Sequence, residues 1–218
     1  MINGLSASDA KVIIKRILPS AIVYLIRAHR NLKPREISIY WRLLFRRALR
    51  IRRDRPDRRV ASFRSILFVC HGNIIRSPMA AALLRRHLSD LGANAVAISS
   101  AGLHANPGQA ADARALTVAR HFGVSLEHHR AQPLTNELVA RTDVIFVMDA
   151  INEAKLLARY PGARHKIFML SAYTAAGELR PIEIADPYDG DEADVRGCYE
   201  LLQCSIRCLT STLGFSRT

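Results

Sequence analysis

Apolar positions in this chain change their rhythm near residue 64. Before that point they recur at helical spacing among arginines. After it, short unbroken apolar runs alternate with helix-period stretches. In the first region, residues 11–30 carry Ile13, Ile14, Ile17, Leu18, Ile22, Val23, Leu25 and Ile26, flanked by Lys15, Arg16, Arg27 and Arg30. Pro19 lies inside the cluster and would kink or divide a helix, because its ring lacks an N–H and clashes with the preceding turn. The uncharged part, residues 17–26, is too short to span a bilayer, and no small-residue cleavage pattern of a signal peptide follows it. Residues 35–53 predict a second helix. Ile37, Tyr40, Trp41, Leu44, Phe45, Ala48 and Ile51 fall on or near one face, with Arg42, Arg46, Arg47, Arg50 and Arg53 set mostly against them. Residues 52–59, arginine-rich around Pro56, read as an exposed linker.

In the second region, residues 66–69 predict a first strand. Pro78 suits a first helical position, where its fixed φ is already helical. Leu84, Leu88 and Leu91 follow at helical spacing, and Gly92 can close that helix in the left-handed conformation. Residues 96–98 predict a second strand, ending in Ser99-Ser100-Ala101-Gly102. A helix over 110–122 stops at Gly123, and 135–141 is a short helix. The continuous apolar run 144–148 is a third strand of the kind buried on both faces. A helix over 151–160 is halted by Pro161-Gly162, a fourth strand covers 167–170, and a loop runs over 171–190. A last helix over 191–212 has Val195, Cys198, Tyr199, Leu202, Ile206 and Leu209 at core spacing. Strands alternating with helices predict an α/β fold, a four-stranded parallel sheet in a three-layer α/β/α arrangement. The chain thus divides into a basic helical extension with linker, 1–62, and an α/β domain, 63–218.

Charge sharpens that division. The net charge is +13, but residues 1–60 hold 16 basic and 4 acidic side chains while the remaining 158 residues hold 16 and 15. The basicity belongs to the extension, so the average gives no support for nucleic-acid binding by the α/β domain. A basic helix with an aromatic stripe suits an anionic membrane surface or an acidic partner, reached through residues 11–59. The other account is that both helices pack on the next domain or on each other, with the arginines a solvated face. The four cysteines, Cys70, Cys198, Cys204 and Cys208, make no CxxC pair and no disulfide framework, which points to a reduced compartment. No zinc-ligand spacing is present in the sequence, and neither a metal nor a cofactor is expected.

The chemistry concentrates in Cys70-His71-Gly72-Asn73-Ile74-Ile75-Arg76-Ser77-Pro78, between the first strand and the helix after it. Backbone N–H groups at a helix N-terminus are unpaired and partially positive, so a loop entering one can cradle a phosphate. The same field favours the thiolate form of a cysteine and makes Cys70 a candidate nucleophile. Arg76 offers a bidentate fork to two phosphate oxygens. Asp186, in a loop stiffened by Pro187 and on the same sheet edge, is the candidate acid for the leaving group. Taken singly, Cys70 would be a core cysteine and Arg76 and Asp186 surface charges.

That segment resembles the signature loop of the low-molecular-weight protein tyrosine phosphatases, C-x-G-N-[IT]-C-R-S-P. The likeness continues in Ser99-Ser100-Ala101-Gly102-Leu103, Val147-Met148-Asp149 and Asp186-Pro187-Tyr188, and covers about residues 63–212. It implies the fold of that family and the hydrolysis of phosphotyrosine through a phosphocysteine intermediate on Cys70. By the same resemblance Arg76 would bind the phosphoryl group. Asp186 would protonate the phenol and then activate water. His71, Gly72, Asn73, Ile74 and Ile75 would form the phosphate cradle, with Asn73 holding it in a strained conformation. Ser77 would hydrogen-bond the thiolate, Ser100 would brace Asn73, and Tyr188 would line the cleft and stack on the substrate ring.

Three departures stand out. Ile75 replaces the family's second loop cysteine, which implies a Cys70 more open to irreversible overoxidation. Asp189 follows Tyr188 where a second aromatic is frequent. Residues 104–107 carry no aromatic wall of phenylalanine, tyrosine or tryptophan. Related enzymes of the same fold supply alternatives. Arginine-phosphate phosphatases typically have Thr at the Ile74 position, and thioredoxin-coupled arsenate reductases carry further cysteines in a mobile segment that this chain lacks between Cys70 and Cys198. A phosphoprotein-binding module without turnover is the alternative outside enzymes, and Asp186 argues against it. The bacterial members resembled often act on autophosphorylated tyrosine kinases that control polysaccharide export. This implies a cytoplasmic enzyme, held by its basic segment near the inner membrane surface.

Overall fold

The four short apolar runs after residue 64 are strands, and all pair in parallel. β1 (Ser65–Cys70), β2 (Ala97–Gly102), β3 (Val144–Val147) and β4 (Ile167–Met169) form one sheet in the order β2-β1-β3-β4. Helices α1 (Pro34–Ala48), α2 (Arg76–Asp90), α3 (Ala113–His121), α4 (Asn136–Arg141), α5 (Ala150–Arg159) and α6 (Glu192–Thr212) cover it. The structure is a computed structural model that describes residues 30, 32–49, 63–93, 95–173 and 183–212. The expected helix over 11–30 (save Arg30), the linker over 52–59 and the middle of the 171–190 loop lie outside the described residues.

Side chains of a strand alternate between faces, and β1 feeds both. Ile66 and Phe68 join one core with Leu84 and Leu88 of α2 and Val195 and Leu202 of α6. Leu67 and Val69 join the other with Leu156 and Leu157 of α5 and Tyr40 and Leu43 of α1. This is why the run shows no polar alternation. From β1 the chain passes through α2 to β2 on one side, and later enters β3 on the other. Connections that part in this way leave a crevice beyond the carboxyl end of the strand between them. Cys70 is the last residue of that strand.

Several boundaries differ from the sequence expectation. α2 begins at Arg76, so Pro78 is its third residue, where a missing N–H still costs nothing because first-turn donors are unpaired. β2 continues through Gly102. Ser99 and Ser100 lie in the ladder opposite Leu67 and Phe68, since an edge strand can carry polar side chains. α3 starts late, at Ala113, because Asp112 caps it by accepting from Arg114 N at 2.9 Å.

α1 packs on α5 through only part of the apolar face expected for it. Tyr40 and Leu43 are buried, whereas Trp41, Phe45 and Leu49 are exposed. Arg47, expected on the solvated face, continues the buried stripe. Its Nη2 lies 2.5 Å from Oε2 of Glu153, a fully buried carboxylate of α5. A carboxylate removed from water needs a counter-charge, and Glu153 therefore turns this part of the helix inward. No helix among the described residues is long and apolar enough to cross a membrane.

Candidate active site

Residues 71–75 curl from the end of β1 into the first turn of α2, and their carbonyls are turned outward by donors from around the loop. Leu103 N binds Cys70 O at 3.0 Å and His104 N binds His71 O at 2.9 Å. His129 Nε2 donates to Asn73 O at 2.7 Å, Asp112 N to Ile74 O at 3.1 Å, and Tyr199 Oη to Ile75 O at 3.3 Å. A carbonyl can only accept, so the neutral His129 ring carries its proton on Nε2. Carbonyls held outward in this way free loop amides to bind an anion. Asn73 N lies 3.3 Å from Cys70 Sγ.

Asn73 holds this arrangement. Among the described residues it is the one non-glycine residue with positive φ, at 56°, a conformation Asn tolerates better than most. It is fully buried. Its Nδ2 donates to Ser77 Oγ at 2.8 Å and Ser100 Oγ at 3.0 Å, and its Oδ1 accepts from Gln132 N at 2.9 Å. Ser77 Oγ is also 3.0 Å from Cys70 Sγ. Gly102 lets the loop sit this close to β2, since a Cβ there would come 2.8 Å from His71 O and 3.0 Å from Asn73 N.

Arg76 is buried, with 2% of its surface exposed. Nη1 donates to Asp149 Oδ2 at 2.6 Å and to Ile184 O at 3.2 Å, and Nη2 pairs with Asp186 Oδ2. Burial alone would lower the Arg76 pKa, but Asp149 and Asp186 outweigh it and raise it, so the guanidinium stays charged. Asp149 also caps α5, its Oδ1 accepting from Asn152 N at 2.6 Å. Arg114 bonds the carbonyls of Tyr188 and Gly190 and so ties the Asp186 loop to α3.

These elements enclose an open cleft of about 440 Å³. Cys70, His71, Gly72, Ile74, Ile75, Arg76, Asp186 and Tyr188 line it, while Asn73, Ser77 and Ser100 lie buried behind the loop. Tyr188 is 60% exposed at the rim. Where no aromatic wall was expected, the His104 ring packs 4.8 Å from that of His71. Burial first, then Lys155, lowers the pKa of both imidazoles. Cys198 is buried on α6 with its thiol pKa pushed up to about 12 by burial, while Cys204 and Cys208 are partly exposed.

Sequence reasoning quoted Asp149 within a motif but gave it no role, and it missed His129, Gln132 and Arg114. Asp149 left a signal as a helix N-cap. The other three are single polar residues whose partners lie far away in the chain.

Residues 65–217 match the family described as low molecular weight phosphotyrosine protein phosphatase. The chain belongs to that family. It is a protein tyrosine phosphatase, a phosphoric monoester hydrolase. It is 40% identical over 143 residues to the probable low molecular weight protein-tyrosine-phosphatase EpsP of Ralstonia nicotianae, covering 66% of this chain and 91% of the relative. The crystal structure of the Erwinia amylovora tyrosine phosphatase AmsI aligns with a TM-score of 0.63 and 34% identity, covering 70% and 94% of the two chains. The YwlE arginine phosphatase of Geobacillus stearothermophilus aligns with a TM-score of 0.60 and 32% identity, covering 68% and 92%. The fold is therefore shared between phosphotyrosine and phosphoarginine chemistry.

Proposed function

We propose that Cys70, Arg76 and Asp186 carry out phosphotyrosine hydrolysis in two displacements. The observation that carries this reading is the convergence of all three on one cleft at the end of β1. The phosphoryl group enters the loop, and Arg76 Nη2 exchanges Asp186 for a phosphoryl oxygen. The Cys70 thiolate attacks phosphorus as the P–O bond to the phenol breaks, and the carboxylic proton of Asp186 passes to the leaving oxygen. In the second step the Asp186 carboxylate takes a proton from water, the water oxygen attacks phosphorus, and the P–S bond breaks to return the thiolate and phosphate.

Ile74, on the cleft wall, favours phosphotyrosine over phosphoarginine in this reading, and Tyr188 at the rim meets the substrate ring. The substrate is an autophosphorylated tyrosine kinase of polysaccharide export, on the strength of the Cys-His-Gly-Asn and Ser-Ser-Ala-Gly-Leu resemblance. The enzyme works at the cytoplasmic face of an anionic membrane. Trp41, Phe45 and Leu49, four residues apart and exposed beside Arg42, form a ridge along α1 and its C-cap suited to that interface.

The test is hydrolysis of p-nitrophenyl phosphate and of phosphotyrosine, phosphoarginine and phosphoserine peptides by wild type, Cys70→Ser and Asp186→Ala. Wild type should prefer phosphotyrosine, and Cys70→Ser should not turn over. Asp186→Ala should lose about 10²–10⁴ in kcat, more on phosphotyrosine than on the nitrophenyl ester because tyrosine is the poorer leaving group. An Asp186→Ala enzyme with wild-type kcat on the peptide would refute the assignment.

A further inference from the structure

A second cavity of about 570 Å³ opens beside the catalytic cleft, a volume typical of ligand sites. It lies between the first turn of α1, the end of β2 and the outer half of α5. Arg30, Lys33, Arg35, Lys155 and Arg159 line it, and Glu36 is its one carboxylate among the lining residues. Glu36 accepts from Lys33 N at 2.8 Å and keeps its charge, so the groove sets five basic side chains against one carboxylate.

The two cavities share a wall. His104 lines both. One side of its ring packs on His71, and its Nε2 lies 3.2 Å from Lys155 Nζ. Along α5, Ile151 and Asn152 face the catalytic cleft, and Lys155 and Arg159 follow in the neighbouring groove. A chain whose phosphotyrosine reaches Cys70 can thus continue over His104 into a trough lined by cations, three of them supplied by or just ahead of α1. Like charges gathered in a concave, partly desolvated wall attract anions from solution.

We propose that this groove is a substrate subsite for carboxylate side chains flanking the phosphotyrosine, so that the extension helix selects acidic phosphotyrosine segments. The inference rests on the phosphatase reading above and adds to it the sequence class of the substrate.

The experiment compares two synthetic phosphotyrosine peptides that differ only in flanking residues, Asp and Glu in one and Asn and Gln in the other. Three surface-type pairs together correspond to roughly tenfold in kcat/KM for the acidic peptide at low salt. The preference should lie in KM, and about 0.5 M salt should remove most of it. The double variant Lys33→Gln/Arg35→Gln and the single variant Arg159→Gln, all at exposed positions, should shrink it to about two- to threefold, with p-nitrophenyl phosphate kinetics unchanged.

Equal kcat/KM for the two peptides in wild type, or a preference that survives the variants, overturns the proposal. So does loss of binding to phosphatidylglycerol vesicles in the variants with the peptide preference intact, which would make the groove a lipid site. Absence of p-nitrophenyl phosphate turnover in wild type would defeat the phosphatase reading and leave the groove readable by fluorescence anisotropy of the two labelled peptides.

Discussion

Replacing Asn73 by alanine removes three hydrogen bonds at once, two of them buried, with Ser77 Oγ, Ser100 Oγ and Gln132 N. At about 1 kcal/mol net for each bond the loss is about 3 kcal/mol. Alanine must also adopt the φ of 56°, which adds about 1 kcal/mol beyond what Asn bears there. Asn73→Ala should therefore be about 4 kcal/mol less stable than wild type, a large share of the 5–15 kcal/mol of an ordinary domain. Asn73→Gly loses the same bonds without the left-handed cost, offset in part by the freedom glycine gains on unfolding, and should recover up to about 1 kcal/mol. Urea unfolding followed by circular dichroism measures both differences. Turnover of p-nitrophenyl phosphate, taken where each variant is fully folded, should fall by about 100-fold or more in both, since the loop amides lose their common support. An alanine variant within about 1 kcal/mol of wild type would refute the account of Asn73 as the residue that sets the loop. So would a stable, folded alanine variant with undiminished kcat/KM.

Two further outcomes follow from the contacts of the site. Asp149→Asn keeps a side-chain oxygen for the α5 cap but removes the charge beside Arg76. The lost charge-assisted bond is worth about 1.5–3 kcal/mol, so kcat/KM should drop roughly 10- to 100-fold with only a modest fall in Tm, and unchanged kinetics would show that Arg76 is positioned without Asp149. The His129 pKa is lowered, first by burial and against the Asn73 carbonyl that would raise it. A depressed imidazole contributes stability above its ordinary value near 6.5, and that contribution is lost as pH falls through the lower folded value. Wild type should lose urea resistance as pH falls below about 6.5, His129→Gln should lose less, and identical slopes for the two would remove His129 from the acid response.

The strands were legible because β1 and β3 are unbroken apolar runs, and a parallel sheet covered on both faces demands such runs. The positions of Cys70 and Arg76 followed from the strand–loop–helix order. The harder parts are those where one residue serves two partners. Asp149 reads in sequence as an ordinary N-cap. Its second bond, to an arginine 73 positions earlier, exists only because β3 lies beside β1. Arg47 read as a solvated arginine because nothing local marks Glu153 as buried. Trp41 and Phe45 drew attention by size, yet Tyr40 and Leu43 make the helix–helix contact. An amphipathic pattern with apolar residues on two adjacent stripes leaves the choice of stripe to the surface that receives it. His129 and Gln132 left no trace at all, since a lone polar residue in a loop does not announce a carbonyl or a side-chain amide on a residue 56 or 59 positions earlier.

The packing of α1 bears on how this enzyme can be handled. The family match begins at residue 65, but Leu32, Tyr40 and Leu43 ahead of it belong to one of the two cores. A protein shortened to the matched region would bare the apolar flank of α5 and take Arg47 away from the buried Glu153 carboxylate. Uncovered apolar surface invites association between molecules, so such a fragment should be prone to aggregate and poorly suited as a minimal catalytic reference. The first forty-nine residues are better regarded as including a fitted shutter over α5, and comparisons that seek the role of the remaining basic segment should keep α1 in place.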